Sequence, residues 1–80
     1  MWLNKNNISR ESFYYCLYNN DDQKIRKRIT HDYWAYRYCQ DIKDDPEVRK
    51  HITKHYGAIC YCRFVKDLPE IRKYIEVKKY

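Results

Sequence analysis

Residues 33–52, YWAYRYCQDIKDDPEVRKHI, are followed after three residues by 56–75, YGAICYCRFVKDLPEIRKYI, and the two stretches align without a gap at a step of 23 residues. The same step carries Cys39 back to Cys16, Tyr38 to Tyr15, Asp44 to Asp21, Val48 to Ile25, Arg49 to Arg26, Lys50 to Lys27 and Ile52 to Ile29. A third and more diverged copy therefore begins near Arg10. The repeats run approximately over 10–32, 33–55 and 56–78, within one domain spanning 1–80. Units this short cannot bury an apolar face alone, so they stack on one another, and stacked repeats most often serve as binding surfaces.

Inside the middle copy Ala35, Tyr38, Cys39 and Ile42 fall at i, i+3, i+4 and i+7, one stripe of a helix. Asp45, Pro46 and Glu47 then supply a cap acceptor, a residue suited to the first helical position and a charge suited to the positive helix end. Val48, His51, Ile52 and His55 repeat the stripe spacing, which predicts a second helix folded back on the first. The last copy reads the same way, with Ala58, Tyr61, Cys62 and Val65 on its first helix and Ile71, Tyr74 and Ile75 on its second. In the first copy the stripe is Ser12, Tyr15, Cys16 and Asn19, with Ser9 as N-cap, Asn19–Asn20–Asp21–Asp22 as the turn, and Ile25, Arg28 and Ile29 as the stripe of the second helix. Its polar stripe residues mark an end cap, and Trp2 and Leu3 are expected to cover its open side. The expected fold is all-α: three tandem helical hairpins, six helices of about eight to ten residues, stacked as a short solenoid or compact array. Gly57 is expected to end one hairpin or tighten the turn to the next. The alternative, in which the second helix of one copy fuses with the first helix of the next, is disfavoured by Asp32 and by the β-branched threonines at the junctions.

Ala35, Tyr38–Cys39, Asp44, Pro46–Glu47, Arg49–Lys50 and Ile52, with their counterparts in the last copy, resemble short tandem helical repeats of bacteriophage and large DNA virus proteins. In those an aromatic and alanine-bearing helix precedes an acid, proline and glutamate turn and a second helix. The resemblance covers nearly all the chain from Arg10 onward. It implies a viral origin and a role in contacting proteins, as an inhibitor of a host system such as a defence complex, and it brings no catalytic residues.

Composition agrees with a helical reading, because a single glycine and two prolines leave little material for tight turns between strands. Ten tyrosines inflate the hydrophobic fraction of 44%, and many are expected to lie ring inward and hydroxyl outward. The start, MWLNKNNI, has neither the charged segment nor the apolar run of an export signal, and no apolar stretch reaches the length of a membrane span. The expectation is a cytoplasmic protein, in the host cytoplasm if viral, with its four cysteines reduced. A formal charge of +6 attracts nucleic acid or an acidic protein surface without choosing between them.

His51, His55, Cys60 and Cys62 form the one grouping with metal-ligand chemistry. Against it, Cys62 is the repeat cysteine of the inner stripe, His51 aligns with Arg28 and Tyr74, and the two sulfurs of a C-x-C pair on a helix point to different faces; no metal or cofactor is expected. Cys16, Cys39 and Cys62 are expected inside, and Cys60 off the inner stripe. No nucleophile–base pair and no phosphate-binding glycine loop occurs, and the carboxylates gather at turns where capping explains them, so an enzyme is not expected. Arg26, Arg49 and Arg72, with Lys27, Lys50 and Lys73, follow the apolar residue of each second helix and are expected to form two exposed ladders able to meet phosphates or an acidic protein. Tyr33, Trp34, Tyr36, Arg37 and Tyr56, with Tyr14 and Arg63, occupy outward positions of the first helices and carry the residue types of protein interface anchors. The functional expectation is a non-enzymatic module that binds a protein partner; the competing class is a small RNA- or DNA-binding protein using the basic ladders.

Overall fold

Long and short helices alternate along the chain in the computed structural model, which describes residues 4–75. They are α1 (Lys5–Tyr18), α2 (Gln23–Arg26), α3 (Asp32–Asp41), α4 (Pro46–Arg49), α5 (His55–Phe64) and α6 (Pro69–Arg72), with no strand among the described residues. Each short helix packs against the long helix before it, and α3 packs between α1 and α5. The breaks at 27–31 and 50–54 keep α2 separate from α3 and α4 separate from α5, against the fused alternative. Most residues read as the inner stripes supply the core: Ile29, Ala35, Tyr38, Cys39, Val48, Ile52, Ala58, Tyr61 and Ile71 are buried, joined by Phe13, whereas Tyr15 and Asn19 of the first stripe are exposed because no unit precedes α1 among the described residues. Trp2 and Leu3 lie outside the described residues.

The short helices differ from expectation. Each is a single α-turn, after which the backbone tightens to i→i−3 hydrogen bonds, from Arg28 to Ile25 and Ile29 to Arg26, and from His51 to Val48 and Ile52 to Arg49. The turns end at Ile29 and Ile52, both fully buried, and His55 opens the next long helix instead of closing the short one. Capping follows the sequence where an aspartate is available. Asp22 accepts from Lys24 N and Asp45 accepts from Glu47 N, whereas Leu68 ahead of Pro69 offers no side-chain cap.

The starts of α3 and α5 are held by the preceding unit. Ser9 is no N-cap for α1, which begins four residues earlier behind Asn4. It lies inside α1, fully buried, and its Oγ accepts from Thr30 N at 3.0 Å and His31 N at 2.9 Å. One repeat later Asp32 does the same for α5: its carboxylate accepts from Thr53 N and Lys54 N, both at 3.1 Å, and from Gly57 N at 2.8 Å. Lys54, the N-cap of α5, has no side-chain cap bond of its own, so a carboxylate from the neighbouring helix stands in its place.

Gly57 accordingly sits in the first turn of α5 and ends no helix. A Cβ there would lie 2.3–2.4 Å from the Asp32 carboxyl group, which three amides hold in place. In an ordinary helix interior glycine to alanine stabilises by about 1 kcal/mol. Here Gly57→Ala should instead destabilise by about 1–3 kcal/mol, since the carboxylate must leave its amides to make room. Asp32→Ala, which strands the same three N–H groups, should cost about 2–4 kcal/mol. Urea denaturation with an unchanged slope measures both, and a stabilised Gly57→Ala protein would contradict the close approach.

Candidate interaction surfaces

The recurring tyrosine, aspartate and arginine of the repeat meet across neighbouring units. Tyr38 donates its hydroxyl to Asp21 at 2.7 Å, and the Arg26 guanidinium lies 3.6 Å from Asp21 and 3.0 Å from Asp45. One step on, Tyr61 donates to Asp44 at 2.9 Å, and Arg49 reaches both Asp44 at 3.1 Å and the Tyr61 oxygen at 3.2 Å. Both tyrosine rings are fully buried, and burial pushes their hydroxyls up, Tyr61 to about 12 with Asp44 adding to the shift. Around Arg26 burial opposes the charge, but Tyr38, Asp21 and Asp45 outweigh it and its pKa is raised. Two rungs of the expected arginine ladder are thus enclosed ion-pair partners; only Arg72, paired with Asp67 at 3.4 Å, stands in solvent. The reason is geometric: the position one residue after the apolar stripe faces the tyrosine of the next unit, which a single hairpin does not contain.

The aromatic surface is largely consumed in the same way. Tyr36 is buried, donates its hydroxyl to Gln40 and faces Phe64 of α5 at a ring separation of 6.5 Å. Trp34 packs 5.5 Å from Phe13 and donates Nε1–H to Asn6 at 2.7 Å. Tyr33 stacks on Tyr56 at 5.8 Å and accepts a hydrogen bond from Arg37, whose guanidinium lies 5.3 Å over the Phe13 ring and pairs with Asp41 at 2.9 Å. Of the expected anchors Tyr56, Tyr14 and Arg63 remain exposed. The outward expectation for Tyr36 fails because α5 lies against that side of α3.

The lysines keep the place read for them. Lys27, Lys50 and Lys73 are exposed and flank two grooves between successive short helices. The first groove, about 640 Å³, has Val48 in its lining between Lys27 and Lys50, with Lys43, Asp45, Glu47 and His51 around it. The second, about 230 Å³, has Ile71 between Lys50 and Lys73, with Glu70 and Tyr74 at the matching positions. Within the first groove Glu47 pairs with Lys50 at 3.1 Å and Asp45 is taken up by Arg26 and Lys43, so Lys27 adds positive charge that these pairs do not cancel. Lys43 escaped the sequence reading because it lies in a turn and off the stripe; its recurrence as Lys66 was the available signal.

Among the described residues no group of three histidine, cysteine or carboxylate side chains is placed to hold a metal ion, and no helix is long and apolar enough to cross a membrane. The cysteines reverse one expectation. Cys60 is buried beside Tyr36 at the packed face between α3 and α5, whereas Cys62 is only half-buried, its sulfur 4.0 Å from the Leu68 carbonyl. Burial raises the thiol pKa of Cys16, Cys39 and Cys60, that of Cys39 to about 12.

With this geometry in hand, comparison with known proteins finds no match to any protein family, curated protein or solved structure.

Two measurements check the enclosed groups. In native protein Cys62 should react with a thiol reagent well before Cys16, Cys39 and Cys60, read by mass spectrometry of the labelled peptides. On raising the pH, the absorbance of ionised tyrosine should appear in two stages, Tyr38 and Tyr61 last. Because the folded-state pKa of Tyr61 is raised from 10.0 to about 12, its contribution to stability is complete below pH 10 and is lost as the pH climbs toward 12. Tyr38→Phe and Tyr61→Phe should each remove part of that alkaline loss.

Proposed function

We propose that this protein is a non-enzymatic binding module, three helical hairpins stacked as a short solenoid, and that it holds an acidic segment of a partner protein across the lysine-flanked grooves between its short helices. What carries the reading is the recurrence of one groove at one repeat step, with an apolar lining residue, Val48 or Ile71, between two lysines each time. An apolar lining flanked by ammonium groups suits a peptide with alternating acidic and hydrophobic residues. The enclosure of Arg26 and Arg49 by carboxylates weighs against a phosphate backbone, because it withdraws the side chains best shaped for bidentate phosphate contact. The resemblance to viral repeats supports placing such a module in a host cytoplasm, as an inhibitor that occupies an acidic surface of a host complex.

Fluorescence anisotropy with a labelled Asp/Glu-rich peptide and a single-stranded DNA of equal length tests the reading. The native protein should prefer the peptide, and the triple variant Lys27→Glu, Lys50→Glu, Lys73→Glu should bind it at least about tenfold more weakly. Its helical circular-dichroism spectrum should persist, since all three side chains are exposed. Peptide binding indifferent to the triple change would remove the grooves from consideration, and tight DNA binding with a steep salt dependence would favour nucleic acid instead.

A further inference from the structure

The contact that joins neighbouring units has two halves, and each end of the described structure displays one of them unmatched. Internally, Tyr38 seats on Asp21 and Arg26, and Tyr61 seats on Asp44 and Arg49. Covered by these tyrosines, the paired side chains are 14% and 27% exposed at Arg26 and Asp21, and 17% and 28% at Arg49 and Asp44. The third pair, Arg72 with Asp67, is already assembled at 3.4 Å but is 56% and 63% exposed, with no tyrosine bonded to it among the described residues. At the opposite end Tyr15, the remaining tyrosine of the series, is 45% exposed.

The apolar surroundings correspond as well. Internally, Phe13 meets Trp34 and Arg37, and one repeat later Tyr36 meets Phe64 and lies beside Cys60. Advancing by 23 residues makes Ile59 the next member of the series Phe13 and Tyr36, and stepping back by the same amount makes Tyr14 and Tyr18 the counterparts of Arg37/Cys60 and Asp41/Phe64. Ile59, Tyr14 and Tyr18 are all exposed large hydrophobics. One end therefore offers a ready acid–guanidinium pair beside an isoleucine, and the other offers a tyrosine hydroxyl beside two rings.

We propose that the two end faces dock on each other, a second copy of this chain placing Tyr15 on Asp67 and Arg72 with Tyr14 and Tyr18 over Ile59. The occupant is a second copy because the complementary half of this contact is carried by the chain itself, which uses the same fit twice internally. The interface is head to tail, so each association leaves a free half at both ends and assembly proceeds beyond a dimer as concentration rises. It does not involve the lysine-flanked grooves, and the failure of either proposal leaves the other standing.

Sedimentation velocity over about 10 µM to 1 mM, a range suited to a modest interface, tests it with two blocked proteins. Tyr15→Ala/Tyr18→Glu spoils one face, and Ile59→Glu/Asp67→Lys spoils the other; all four residues are exposed, so the helical spectrum should be retained. The native chain should show a mass that grows with concentration, each blocked protein should stay monomeric, and an equimolar mixture of the two should form a dimer and stop. Tyr15→Phe, which removes only the hydroxyl, should weaken native assembly several-fold. A native chain monomeric throughout, a single blocked protein that still dimerises, or a mixture that fails to pair would each overturn the proposal.

Discussion

A helix that begins on a side chain of another helix cannot be placed without it. Two amides just ahead of α5, and that of Gly57 in its first turn, are satisfied by Asp32 of α3, and two just ahead of α3 by Ser9 of α1, the leading pair at each site lying the same 21 and 22 residues forward. Because a four-residue turn and a ten-residue helix are both too short to persist in water, this capping across units makes the order of the pieces mutual. It also explains why the repeat step tolerates no insertion between the second and third copies: one added residue would rotate the acceptor away from the amides it serves. At the second capping site the larger acceptor, Asp32, lies against Gly57, where a Cβ would not fit; one repeat earlier the aligned residues are the small acceptor Ser9 and Trp34.

The far end of each long helix is fastened by the tyrosine that descends onto the aspartate and arginine of the unit before. A buried phenol needs an acceptor, and a half-buried guanidinium needs a carboxylate; Asp21 and Asp44 answer both demands at once. Enclosing each charge pair beneath a ring strengthens its Coulomb attraction by excluding water, while the hydrogen bonds to Tyr38 and Tyr61 offset the desolvation that would otherwise make such a pair neutral or unfavourable. Fixing α3 to α1 and α5 to α3 at both ends leaves neighbouring long helices little freedom to slide, although their side chains are a mixture of tyrosine, cysteine and alanine with few aliphatic residues.

The repeat step, the inner stripes and the aspartate caps of the short helices were legible because each depends on spacing within one unit. What spacing within one unit cannot show is which outward position the next unit will cover. Tyr36 and Arg49 lie off their own hairpin's stripe, and only the arrival of α5 encloses them. Cys60 and Cys62 exchange roles for the same reason: the face of α5 toward α3 is covered, while the position that buries Cys39 in the middle unit is left half open at Cys62. The short helices read too long because a stripe at i, i+3 and i+4 continues through a turn of i→i−3 bonds as readily as through a helix. The co-recurrence of Tyr15, Tyr38 and Tyr61 with the aspartate and arginine series was present in the sequence and would have disclosed the clusters, had the three series been read as one contact and not as three separate surfaces.

Once Arg26, Arg37, Arg49 and most of the rings are assigned to holding units together, the exposed charge that lines the grooves belongs to lysines, and its arrangement follows from the stacking. The long helices pack directly on one another, while the short ones stand apart with a groove between each pair. Lys50 borders both grooves, so on the proposed reading an acidic segment lying across the first would be delivered to the rim of the second at high local concentration, and two weak engagements would combine. Binding strength in the proposed module would grow with the number of grooves spanned. End-to-end docking would add units at the same step, and with them further lysine-flanked grooves in line, so that the contact fastening one unit to the next also sets the length of acidic segment the assembly can hold.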